Sequence, residues 1–332
     1  MIQLKLKYHT NILCYYIKFY CVIFQKYYRI KSKFILSIEA IIMLSFFQRA
    51  FKDERQTKAL IGLSLEEFNN LSGSFGENLE KSRNCSKKEQ KRASGGGRKH
   101  TLSLLEKLFF ILYYFKNYPT YDVLATDFDV NRSTVCRWVQ TYLPILEQTL
   151  EQENVLPRRE TGTIEEFIEN FPGVDELYID GTERPTQRYG DYALQKEFFS
   201  GKKRKHTNKN LVLSSACREI LVLSKTKPGK NHDYALFKEL NPQIPSDVVN
   251  WVDLGFQGIK KDFPSLEVIM PNKKPRGSEL TLDQKAENTM VARVRVVSEH
   301  AIAGIKRLKV VTDVFRNRKK HFADLFMLLA CG

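Results

Sequence analysis

The sequence predicts an α+β protein, with an all-helical N-terminal half followed by a mixed α/β domain. Three observations carry this. Residues 101–150 keep a helical period throughout, short β-prone runs take over after Pro172, and one long helical segment follows the last of those runs. The chain has 332 residues, enough for two or three domains, and a hydrophobic fraction of 42% supports a core. That composition argues against a disordered chain. The six cysteines (Cys14, Cys21, Cys85, Cys136, Cys217 and Cys331) form no C-x-x-C pair and have no zinc spacing. They read as free thiols of a reducing compartment rather than a disulfide scaffold. Lys and Arg total 53 against 38 Asp and Glu, a formal charge of +15. Such an excess points to a polyanionic partner, either nucleic acid or an acidic membrane surface.

Residues 1–42 stand apart: six of the chain's 15 Tyr fall there, Gly and Pro are absent, and the apolar positions follow no period. A membrane anchor would have to use Phe34–Phe47, a run interrupted by Glu39 and shorter than the roughly 20 residues of a spanning helix. The expectation is instead a non-native extension, with the true start at Met43. From Met43 to Leu79 the sequence reads as short helices, with Ser64 and Glu67 spaced as a capping box. Lys81–His100 reads as a basic, Gly-rich linker that attracts phosphates or serves only as a charged loop.

Leu102–Phe115 is expected as a buried helix ended by Asn117–Pro119. Within the next segment, Ala125, Asp129 and Val135 have the spacing of a helix-turn-helix. That motif needs a small residue where its helices touch, a turn residue that tolerates positive φ, and an apolar residue inside the second helix. Ser133 or Asn131 would cap the second helix. Its first turns would offer Asn131, Arg132, Ser133, Thr134 and Arg137 to DNA, with Leu124, Val135, Trp138 and Val139 facing inward. A helical hairpin that touches no DNA is the alternative. Residues 151–174 read as a linker, and 175–332 as the α/β domain. Its expected strands are Glu176–Asp180, Leu211–Ser215, Ile220–Lys225, Val248–Asp253 and Leu266–Met270, with helices at His232–Leu240 and Leu282–Leu308.

Two strands run into an aspartate with glycine close behind, YID-GT at Asp180 and WVD-LG at Asp253. The C-terminal ends of buried strands are where α/β sheets place working groups. In the long last helix, Arg295, Glu299 and Lys306 fall on one face. Three carboxylates from separate elements can converge on two Mg²⁺ ions, as phosphodiester chemistry requires. Taken alone, though, the aspartates could equally cap turns, and Glu299 could be a solvated surface residue.

The chain resembles the IS5-type insertion-sequence transposases of the DDE superfamily, with a Harbinger-like nuclease domain preceded by a transposase helix-turn-helix. The motifs that carry the resemblance keep their order. They are GGGRKHTL (Gly95–Leu102), STVCRW (Ser133–Trp138), IDGTERPTQR (Ile179–Arg188), FFSGKKRKHTNKNLV (Phe198–Val212), GKNHD (Gly229–Asp233), DLGFQG (Asp253–Gly258), PNKKPRG (Pro271–Gly277) and RVRVVSEHAIAGIKRLK (Arg293–Lys309). The related signature places a Tyr three residues before Arg295, where this chain has Ala292.

The resemblance implies an RNase H-like catalytic fold with Asp180, Asp253 and Glu299 as metal ligands, assisted by Arg295 and Lys306. It implies two Mg²⁺ per site, with Mn²⁺ also serving. The implied partners are double-stranded DNA, as terminal inverted repeats and target, and a second copy of the chain; no membrane or small-molecule cofactor is expected. The expected location is the cytoplasm, at the nucleoid. Lys202, Lys203, Arg204 and Lys205 are expected to hold phosphates. Asp233 is expected in a capping or supporting role beside His232, and His300 points away from Glu299. A non-catalytic DNA-binding protein and a stand-alone nuclease are the competing functions.

Overall fold

The computed structural model describes residues 46–86, 102–317 and 319–332. The expectation for residues 1–42 and the glycine-rich part of the basic linker therefore lie outside the described residues. No described helix is long and apolar enough to cross a membrane. The chain divides into two compact units, Met1–Asp53 and Glu54–Gly332. In the first, the structure describes one short helix, α1 (Phe46–Ala50).

The second unit begins with α2 (Glu54–Ile61) and α3 (Leu65–Ser86). Both legs of the expected capping box are formed: Glu67 N–H donates to Ser64 Oγ at 3.2 Å, and Ser64 N–H donates to Glu67 Oε2 at 2.7 Å. The expectation of short helices giving way to a linker at Lys81 is corrected, because α3 runs unbroken to Ser86. Phe68, Phe75 and Leu79 bury one stripe of it, and that packing overrides the helix-weakening Gly73 and Gly76.

Next come α4 (Leu104–Asn117), α5 (Tyr121–Asp127) and α6 (Arg132–Gln152). Helix α4 opens on a second capping box, Ser103 with Glu106, and ends at Tyr118 in the left-handed region at φ 43°. Phe110 anchors the three helices, with Phe128, Trp138 and Tyr142 each edge-on to its ring. Residues 151–174, expected as a linker, carry structure of their own. Arg158 exchanges backbone hydrogen bonds with Leu221 and Leu223, and α7 (Ile164–Asn170) buries Phe167 in the core of the sheet domain.

The sheet consists of β1 (Glu176–Pro185), β2 (Phe199–Ser200), β3 (Lys205–Ser214), β4 (Ile220–Leu223), β5 (Lys227–Pro228), β6 (Val249–Trp251) and β7 (Glu267–Ile269). Its central order is β2-β3-β1-β6-β7, with β4 and β5 also on β3. Strands β1 and β3 are antiparallel, whereas β1, β6 and β7 are parallel. This is the mixed sheet expected after an all-α region. The expected hairpin turn at Ala216–Glu219 is present, closed by Ser215 N–H on the Glu219 carbonyl with Arg218 at φ 70°. Between the strands lie α8 (Tyr192–Phe198), α9 (Asp233–Leu240) and α10 (Ile259–Asp262). Leu177, Ile179, Leu211 and Leu213 on one sheet face pack with Phe237 and Phe256 into a closed core.

Helix α11 (Leu282–Ile305) packs against β1. It is followed by α12 (Lys309–Thr312) and α13 (His321–Cys331). Helix α13 bridges the halves. Phe326 meets the rings of Tyr114, Phe115 and Tyr118, while the Ala323 carbonyl accepts a 2.9 Å hydrogen bond from the buried Arg184 of β1.

Candidate active site and nucleic-acid interface

Strand register brings the two aspartates together. Tyr178 of β1 lies opposite Trp251 of the parallel β6, their rings stacked at 6.3 Å. Residues of one parity share a face, so Asp180 and Asp253 follow that pair side by side. Strand β6, expected to run to Asp253, ends at Trp251, two residues before it. Strand β1 instead continues to Pro185, held by β3 through Pro185↔Thr207. Asp180 therefore sits where β1 parts from β6 rather than at the end of its strand. Each carboxylate also accepts from nearby backbone, Asp180 Oδ1 from Gly181 N–H at 2.8 Å within β1 and Asp253 Oδ1 from Gly255 N–H at 2.7 Å in the turn it caps.

The charges around Asp180 come from three other segments of the chain. Burial is the largest influence and pushes its carboxyl above the ordinary 3.8. The Arg295 guanidinium, 3.8 Å away, and the Gly181 N–H pull it down, while Asp253 and Asp233 push it up again. The net direction is upward, so the folded state binds this proton more tightly than the unfolded chain does. The resulting penalty is absent below the ordinary value, grows as pH rises, and is complete once pH exceeds the folded pKa. Asp180→Asn is therefore expected to raise the Tm of cation-free protein at neutral pH, with the gain shrinking on acidification; calorimetry across pH measures this.

On α11, Val291, Ser298, Ile302 and Ile305 form the buried row. Arg295 flanks that row and is 20% exposed, whereas Glu299, about 40° further round the helix, is exposed. Lys306 is the C-cap residue of α11, in helical conformation at φ −69°. Although the residue is exposed overall, burial of its amine pushes the pKa down, Lys203 adds to this, and Asp180 and Glu183 oppose it. Arg295 and Lys306 thus both act on Asp180.

Among the described residues, no three His, Cys, Asp or Glu side chains stand as a ready metal site. Asp180 and Asp253 fit a divalent cation as neighbouring hard-oxygen donors whose like charges lack full compensation. Glu299 is placed on the adjoining helix face and is not drawn in with them.

Sequence reasoning missed a group beside this pair. Lys209 of β3, 8% exposed, lies 3.2 Å from Glu183 and 3.3 Å from Asp233. Burial opposes ionisation of Glu183, but the Ser200 and Thr207 hydroxyls with the Lys209 ammonium outweigh it and hold its carboxyl below the ordinary range. Asp233, expected in a capping or supporting role, is not the capping residue of its helix. It follows His232, which occupies the N-cap position of α9 without a side-chain cap bond, and its carboxylate reaches across Gly181 instead. A lysine inside an otherwise buried strand, KHTNKNLVLS, was the available signal. His232 and His300 are both exposed.

The helix-turn-helix has its expected form. Asp129 adopts φ 49° in the turn, and Leu124, Val135 and Val139 are fully buried. Asn131 occupies the N-cap position of α6 but makes no side-chain cap bond. Asn131, Arg132, Ser133 and Arg137 are exposed and Thr134 is half-buried, hydrogen-bonded by Arg137 at 3.2 Å. Arg132 also pairs with Asp122 at 3.5 Å on the surface. Lys202, Lys203 and Arg204 form the exposed turn between β2 and β3, with Arg204 at φ 51°, and Lys205 begins β3. The influence of Lys203 on Lys306 ties this basic turn to the acidic centre.

Residues 179–332 match the family described as DDE superfamily endonuclease. Residues 100–152 match the family described as helix-turn-helix of DDE superfamily endonuclease. The chain is similar to a protein of Microchaete diplosiphon described as probable transposase for insertion sequence element IS702. Identity is 29% over 270 residues, covering 81% of this chain and 93% of that protein. No solved structure matches the chain significantly.

Proposed function

We propose, from the premise that this chain carries a DDE superfamily endonuclease domain at residues 179–332 and that superfamily's helix-turn-helix at 100–152, that it is an IS5-type insertion-sequence transposase. It binds the terminal inverted repeats of its own element, cuts DNA strands there and joins them to a target, acting as a dimer on DNA at the nucleoid. The observation that carries this reading is the adjacent Asp180–Asp253 pair, flanked by Arg295 and joined on one chain to an exposed recognition helix.

Asp180, Asp253 and Glu299 would hold two Mg²⁺ or Mn²⁺ ions, which supply Lewis-acid stabilisation and a strong oxygen nucleophile when bound. The chain's own residues do the rest. Asn131, Arg132, Ser133, Thr134 and Arg137 present the terminal sequence in register. The Lys202–Lys205 turn holds the phosphate backbone beside the centre. Arg295 offers a two-pronged donor to a phosphate and Lys306 a point charge, so that the scissile group is held in line.

Incubation with a plasmid carrying the flanking terminal repeats, in Mg²⁺ or in EDTA, followed by mapping of the ends, tests the reading. Cation-dependent breaks at the repeat ends, with joined products, support it. The exposure of Glu299 favours a second reading, a DNA-binding protein without catalysis; specific binding with no breaks under any cation would establish that one. Binding should also be separable. Arg137→Ala is expected to cost roughly 1–3 kcal/mol on terminal sequence and little on random DNA. Neutralising Lys202, Lys203, Arg204 and Lys205 should weaken both alike and flatten the salt dependence. Affinity titrations at several salt concentrations check both outcomes, and equal loss on both DNAs would make Arg137 a phosphate contact.

A further inference from the structure

The ion group around Lys209 is built more elaborately than strand pairing requires. Lys209 lies opposite Glu183 in the β1–β3 register, so one carboxylate already compensates its buried charge. The same ammonium also reaches Asp233 and donates to the Asn231 carbonyl at 2.9 Å, which fastens the GKNHD turn to the sheet. Two glycines make this approach possible. A Cβ at Gly229 would collide with Thr207, and one at Gly181 with the Asp233 carboxylate. Asp233 Oδ1 accepts no hydrogen bond, so its charge there is met by the ammonium alone. The carboxylate is thereby held over Gly181, the residue next to Asp180, and its field registers on Asp180.

We propose that Lys209 is a positioning residue of the acidic centre, fixing the Asp233 carboxylate beside Asp180 and Asp253. The inference rests on the nuclease reading above. An ordinary structural ion pair would need only Glu183; the second carboxylate is placed where it contributes to the site. Supporting groups that orient a metal or catalytic carboxylate typically matter by roughly 10–100-fold.

The test uses the full chain carrying Asp233→Asn, Lys209→Met and both together. Single-turnover cleavage of a terminal-repeat duplex is compared with affinity for that duplex in EDTA, and with the rise in Tm caused by Mn²⁺. Each single variant should lose roughly 10–100-fold in cleavage rate with duplex affinity unchanged, and the double variant should lose no more than the worse single. Mn²⁺ should raise the Tm of either single variant less than that of the wild type. Wild-type cleavage by folded Lys209→Met, or losses that multiply in the double variant, would overturn the proposal. If Lys209→Met does not fold, Asp233→Asn decides alone, and cleavage at the wild-type rate with a full Mn²⁺ response sinks it. Failure of the wild type to cleave counts against the nuclease reading instead, and the Mn²⁺ melting comparison still decides the role of Lys209.

Discussion

Asp180→Asn, Asp253→Asn and Glu299→Gln are each expected to abolish strand cleavage while terminal DNA binding stays nearly intact. In the function proposed, affinity for DNA comes from the exposed basic residues of α6 and of the Lys202–Lys205 turn, which lie on other elements than the three carboxylates. Cleavage instead needs charge held where the in-line transition state develops, a contribution of several kcal/mol. A loss of about 4 kcal/mol is about a thousandfold in rate. Asp180 stands where β1 parts from β6 and Asp253 just beyond the end of β6, so either loss removes one of two neighbouring oxygen donors. Glu299 is exposed one turn beyond Arg295, which makes Glu299→Gln the most informative of the three. Metal-dependent cleavage at the wild-type rate in any one variant would remove that residue from the catalytic set; gel assays with matched binding titrations give both readouts.

Lys306→Ala should slow cleavage by roughly 10²–10³-fold, the range for losing one preorganised donor at a developing negative charge. The fold and Tm should not change, because Lys306 caps α11 through its backbone and the residue is exposed overall. Burial nonetheless lowers the pKa of its amine, which feels the charge of Lys203 in the basic turn and of Asp180 and Glu183 in the acidic centre. Arg295→Lys should restore Arg295→Ala only in part, since a point charge cannot reproduce a guanidinium fork. A Lys306→Ala protein with normal single-turnover rates would leave this lysine as solvated surface.

What could be read from the sequence was set by local chemistry. The helix-turn-helix was legible down to Asp129 because cap, turn and apolar spacing all lie within one short segment. Asp180 and Asp253 were legible as acids at the edge of buried strands. The extension of β1 to Pro185 was not, because Gly181 and Pro185 read as breakers and only pairing with a distant β3 keeps that segment extended. The same long-range register hid the Lys209 group, whose three acidic and carbonyl partners come from two other segments. For α3, the charged run from Lys81 read as the start of a linker, whereas the helix buried through Phe68, Phe75 and Leu79 continues to Ser86. The exposure of Glu299 was also beyond reach, since helical spacing gives relative direction along α11 but not which side the sheet covers.

The placement of α13 has a consequence for cooperativity. Its aromatic ring cluster belongs to the core of the helix-turn-helix region, while the Arg184 bond secures it to the strand that bears Asp180. Loosening either half exposes the same Phe326, so neither can melt without raising the free energy of the other. Calorimetry should accordingly record one transition rather than two for Glu54–Gly332. Shortening the chain before His321 should abolish sequence recognition along with cleavage, although the deleted residues contact neither DNA nor the carboxylate pair in this reading.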